Sequence, residues 1–272
     1  RWDPGWGGHR GPEVMGDSRT VSPALGSPVP PSWQRFASVP RYVELLVVAD
    51  EAMARFHGEG LRRYLLTVLA TAARSFRHGS LGNAVELRVT RLVVLGQGTP
   101  GPPITPNAAQ MLRNFCQWQK GLNVPDEDSP LHFDTAILFT RQDLCGASTC
   151  DTLGMADVGT VCDPERSCAI VEDDGLQSAF TAAHELAGHV FNMLHDTSPP
   201  CRELNGRDST ARHVMAPVLA ALEPGEMWSP CSARFITDFL DNGHGMGYGT
   251  GWGGSWWPWG PPRVQRCPLP TG

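Results

Sequence analysis

The sequence predicts an α/β domain in which a mixed, twisted sheet carries helices on its flanks. Apolar β-branched runs alternate with helically spaced ones, and one apolar helical stretch leads into three closely placed histidines. A length of 272 residues with 41% hydrophobic content is enough for one sizeable core.

The elements follow in order. Residues 43–49, 85–95 and 135–140 are apolar and β-branched, as strands require, and 169–171 is a shorter run of the same kind. Residues 60–76 and 107–119 place their apolar side chains at helical spacing, 177–193 is the helix with the histidines, and 232–240 is a closing helix. The ends differ. Residues 1–35 hold Pro, Gly and Ser without periodicity, and 244–272 form a Gly/Trp/Pro-rich low-complexity tail, so the folded domain is expected over 36–243. The tail reads either as an aromatic interaction surface or as disordered or mis-translated sequence.

Charge and hydropathy exclude some classes. A net charge of -6, with Lys120 the only lysine, supplies no basic stripe, so no nucleic-acid partner is expected. No run of 18 apolar residues exists, so no membrane span is expected. The chain opens on Arg1 and its first segment lacks an apolar signal core, which reads as a fragment of a longer chain. Eight cysteines without a C-x-x-C pair point away from a zinc ribbon and toward disulfides.

The histidine helix carries the chemistry. In the pattern H-E-x-x-H, two imidazoles leave one helical face to bind zinc and the glutamate handles the proton of a water. Here His184 and His189 flank Glu185 at a spacing of five, because Ala187 is one residue too many. Residues four apart are roughly 40° apart around a helix, but residues five apart are roughly 140° apart. Zinc needs its nitrogens about 3.4 Å from each other, which a regular helix cannot provide at this spacing. A π turn absorbs one residue. Its strain of about 1 to 3 kcal/mol is small beside the roughly 10 to 16 kcal/mol of structural zinc binding in peptides. The other reading is a buried histidine-bearing helix without metal. His195 follows His189 by six residues, as in the metzincin pattern H-E-x-x-H-x-x-G-x-x-H, with Asn192 at the left-handed position. Met215, in the run 213–217, reads as the Met-turn beneath the site.

On these residues the chain resembles the catalytic domain of the ADAMTS family (a disintegrin and metalloproteinase with thrombospondin motifs), nearest its aggrecanase branch. The runs 36–38, 41–50, 133–145, 150–156, 168–174 and 228–241 carry the likeness, which covers about three quarters of the chain. The family helix reads H-E-L-G-H, so Ala187 is the insertion.

The resemblance implies a metzincin fold with a small C-terminal subdomain, and a secreted zinc endopeptidase acting on extracellular-matrix proteins of the proteoglycan (aggrecan) type. His184, His189 and His195 would bind zinc, and Glu185 would be the general base. Calcium would take Glu44, Glu127 and Asp134 at one site, and Asp143, Glu172 and backbone oxygens near Leu144, Cys150 and Thr152 at another. The implied disulfides are Cys116 with Cys168, Cys145 with Cys150 and Cys201 with Cys231. Cys162 loses its usual partner to the altered C-terminus and is expected to be a free thiol or to pair with Cys267. Only Arg35 stands where the family has a basic cleavage site, so activation by a furin-type protease is not expected. A monomer is expected. The rival reading is a secreted binding domain, a pseudoprotease, whose site Ala187 has distorted, and a third is a gene-model error that added Ala187 and both ends.

Overall fold

A computed structural model describes residues 41–96, 98–206, 212–218 and 225–241. The two terminal segments, with Cys267, lie outside them. Strand β1 (Arg41–Ala49) is apolar on both faces because it is the inner strand of the sheet: Val43, Leu45 and Val47 enter one core, Leu46 and Val48 the other. Asp50 ends it and caps α1 (Glu51–His57), its carboxylate accepting from the Met53 N–H at 2.7 Å. Helix α2 (Leu61–Phe76) turns Leu61, Leu65, Val68, Leu69 and Phe76 onto the first core. The chain then returns as β2 (Val85–Val94), parallel to β1.

Helix α3 (Ala108–Lys120), capped by the Asn107 side chain, covers the opposite face with Met111, Leu112 and Phe115. Strand β3 (Thr135–Thr140) follows, wholly buried and parallel to β1. A short β4 (Gly154–Ala156) runs antiparallel to β5 (Cys168–Glu172), which is parallel to β3. The order is β2-β1-β3-β5-β4, which leaves β4 on an edge. The mixed sheet with flanking helices is as the sequence implies. The sequence reading did not find α1, β4 or the seven-residue helix Pro199–Asn205, all too short to show a period.

The C-terminal part closes over the first core. Helix α4 (Ser178–Ala182) leads into the histidine segment, α5 (Pro199–Asn205) follows, and α6 (Pro230–Asp241) ends the described chain. A disulfide joins Cys201 on α5 to Cys231 on α6. Trp228 is buried, with its Nε1–H donating to the Ser75 carbonyl at 2.7 Å, which fastens this part onto α2.

Candidate active site

Helix α4 does not continue as an α-helix. Ala183–His189 is a π turn, in which the Val190 N–H donates to the Glu185 carbonyl at 3.2 Å, five residues back. One inserted residue is thereby absorbed, and His189 comes back beneath His184. Asn192 then takes a left-handed φ of 71°, the conformation that lets the chain leave the helix and return His195 to the site. His195 Nε2 lies 3.1 Å from His184 Nε2 and 3.2 Å from His189 Nε2, close to the separation that a metal with nitrogen ligands imposes. Among the described residues this trio is the one group of three or more His, Cys, Asp or Glu side chains whose ligand atoms converge, all within 4.8 Å of one another.

Backbone carbonyls set which nitrogen faces inward. His184 Nδ1 lies 2.6 Å from the Val214 carbonyl and His189 Nδ1 3.0 Å from that of Met193. A carbonyl only accepts, so both Nδ1 atoms carry the proton and both Nε2 lone pairs point into the site. Met215 supports all of this from below. Its carbonyl accepts from the Asp196 N–H at 2.9 Å, next to His195, and a Cβ added at Gly188 would come within 2.1 Å of its sulfur. Asp196 is buried and accepts from the Ser229 hydroxyl and from Asn205 Nδ2, which ties the site to α5 and α6.

Electrostatics favour an added cation. Burial, then the charge of His189, pushes His184 down to about 3; burial, then His195, pushes His189 down to about 4. Both rings are neutral at physiological pH, as metal ligands must be. Burial alone pushes Glu185 up to about 8, and its Oε2 is buried without a hydrogen-bond partner. A cation beside it would restore its charge. Glu185 also packs against the sheet edge, since a Cβ on Gly154 of β4 would meet Glu185 Cγ at 2.9 Å. Two neutral imidazoles with inward lone pairs and a third imidazole converging on them, beside a buried carboxyl lacking a partner, fit zinc with an open fourth position.

The acidic sets are arranged otherwise. Glu44 donates its N–H to Asp134 Oδ2 at 2.8 Å and accepts from the Asp134 N–H at 2.9 Å, while Glu127 sits half-buried in the loop before β3. His132 Nε2 forms an ion pair with Asp134 Oδ1 at 3.6 Å, and its interaction with Asp134 is the chief cause that pushes the imidazole up to about 9. In the second set Glu172 Oε2 accepts from the Leu144 N–H at 2.8 Å. The Glu172 carboxyl is raised by burial first and by Asp143 and Asp174 after it. Cys150 and Thr152 lie in the loop between β3 and β4.

The structure contains the disulfides Cys116–Cys168, Cys145–Cys150 and Cys201–Cys231. Of the two states expected of Cys162 the free thiol is excluded, since Cys162 is disulfide-bonded, in a left-handed turn packed against the first core; pairing with Cys267 falls outside the described residues. Sequence reasoning missed the Val214 and Met193 carbonyls, Gly188, Gly154 and the Asp196 network, because none of them belongs to a ligand motif. Gly188 alone left a sign, a glycine inside a helical pattern.

The fold and the three-histidine centre define a zinc metalloprotease domain, and the reprolysin (M12B) family of zinc metalloproteases matches residues 41–247: the chain belongs to that family. Similarity to individual proteins narrows this further. The chain is 70% identical to "A disintegrin and metalloproteinase with thrombospondin motifs 4" of Mus musculus and of Homo sapiens, over 85% of this chain and 28% of each relative. It is 59% identical to the motifs 1 protein of Mus musculus, over 78% of this chain and 22% of that one. The chain thus spans under a third of the length of these relatives.

Proposed function

We propose that this domain hydrolyses peptide bonds in extracellular-matrix proteins of the proteoglycan class, with zinc held by His184, His189 and His195. The observation that carries the reading is that His195 Nε2 lies 3.1 to 3.2 Å from the Nε2 atoms of both His184 and His189, with all three ligand atoms within 4.8 Å of one another, despite the five-residue spacing. When bound, zinc supplies a Lewis acid that activates water and polarises the scissile carbonyl. Glu185 would serve as the general base toward the attacking water and as the proton donor to the leaving amine. The edge of β4, unpaired among the described residues and packed against Glu185, would offer backbone groups to an extended substrate. The disulfides among the described residues suit an oxidising, extracellular setting. Calcium at the Glu44, Glu127 and Asp134 set, and at Asp143 and Glu172 with the neighbouring carbonyls, would brace the loops that flank β3.

The test is cleavage of a proteoglycan core protein with and without a zinc chelator, alongside metal analysis. Chelator-sensitive cleavage supports the reading. Absence of cleavage would leave the non-catalytic binding domain, and no zinc retained would overturn the zinc-centred reading itself.

A further inference from the structure

Helix α2 has a second character on the side away from its core. Its 16 residues include Arg62, Arg63 and Arg74 and no acid. All three arginines are exposed, and no carboxylate among the described residues pairs with them, whereas the neighbours Arg55 and Arg77 are taken by Glu51 and Glu86. Eleven residues separate Arg63 from Arg74, which is about 16 Å along the axis and within roughly 20° of the same line. Between them lies a shallow depression floored by Leu66, Thr67, Ala70 and Thr71. Both threonine hydroxyls donate back to the helix, to the carbonyls of Arg63 and Thr67, so the floor presents methyl groups. In a chain of net charge -6, this row of unpaired guanidinium groups is a local exception.

We propose that this face of α2 binds a linear sulfated polysaccharide. Guanidinium forks match the oxygens of tetrahedral and planar anions, and two such forks on one line suit a polymer with repeated charges. No aromatic side chain stands on the face to stack bases, which disfavours single-stranded nucleic acid. The narrow floor admits a thin chain lying flat along the helix. Choosing a sugar over an intracellular polyanion rests on the extracellular reading above; the binding itself does not rest on catalysis.

The experiment measures binding of the full chain to heparin over a range of salt concentrations, with hyaluronan, which is carboxylated only, and a single-stranded oligonucleotide as comparators. The triple variant Arg62→Ala, Arg63→Ala, Arg74→Ala is expected to bind heparin about tenfold or more weakly, with a salt slope smaller by about 1.5, as loss of the two aligned contacts of Arg63 and Arg74 would give; Arg62, about 100° round the helix from them, is removed so that it cannot substitute. Alanine is the best helix former, so α2 is not put at risk, and an unchanged Tm with unchanged zinc retention checks this. A control that removes Arg113, Arg202 and Arg234 from three other helices is expected to bind within about twofold of the parent. Equal losses in both triples, no heparin binding by the parent at low salt, or equally tight binding of hyaluronan or the oligonucleotide would each overturn the proposal. Loss of protease activity with heparin binding intact would instead count against the catalytic reading alone.

Discussion

The histidine centre and the acidic sets hold ligating side chains near the same sheet, yet one converges and the others do not. An imidazole has two nitrogens, so a carbonyl can anchor one while the other is presented inward, as Val214 and Met193 do for His184 and His189. A carboxylate anchored by a backbone N–H, as Asp134 and Glu172 are, has spent part of its acceptor capacity. Calcium also draws six to eight oxygens from backbone, side chains and water. Convergence of side chains is therefore the signature of a transition-metal site and a poor guide to a calcium site.

The largest expected effect breaks the chemistry of the histidine centre without touching its ligands. Glu185→Gln is expected to lower peptide hydrolysis by about 10² to 10⁴, the usual worth of a general acid-base group, while zinc content after dialysis stays at the parent level. Loss of zinc together with activity would show that Glu185 only holds up the site. Next comes deletion of Ala187, which returns the helix to H-E-L-G-H. Release of about 1 to 3 kcal/mol of π-turn strain corresponds to roughly 5- to 150-fold tighter zinc. Hydrolysis is expected to rise by at least about a hundredfold, because an ångström of misplacement can cost that much. Equal zinc affinity and equal rates in both forms would show the insertion to be harmless.

A smaller effect tests the support beneath the metal. Gly188→Ala places a Cβ where the Met215 sulfur lies, and Met215 is fully buried. Overpacking of this kind costs about 1 to 3 kcal/mol, so a lower Tm and weaker zinc retention are expected together. A lower Tm with unchanged zinc affinity would mean that Met215 supports the fold and not the histidines.

Much of this was legible in the sequence. Strands β1 and β3 announce themselves by apolar runs and β2 by its β-branched residues, and the histidine spacing calls for a π turn if both imidazoles are to face one metal. The left-handed turn at Asn192 is legible for the same kind of reason. What the sequence conceals is support that comes from distant segments. Nothing in the run around Val214 says that its carbonyl will meet His184, 30 positions earlier. Gly154 has no partner until β4 folds against the π turn. The acid-free face of α2 is visible in the sequence, but only the fold shows that its arginines lack carboxylate partners.

The smallest expected effect sharpens the comparison from the acidic side, where burial and charge act on histidine in opposite directions. His184 is held neutral by burial, while His132 is held protonated by Asp134. Because the folded value of His132, about 9, lies above its ordinary value of 6.5, its ion pair contributes stability fully below pH 6.5 and loses it as pH rises toward 9. His132→Gln is therefore expected to lower Tm by the most below pH 6.5 and by little above pH 9. Calcium at the set containing Asp134 would place a divalent cation beside this imidazolium, and by linkage each must weaken the other. An NMR titration of the His132 ring is thus expected to show a lower midpoint with calcium than without. If calcium leaves that midpoint where it was, the ion does not bind at Glu44, Glu127 and Asp134, and the first acidic set is a salt-bridged loop rather than a metal site.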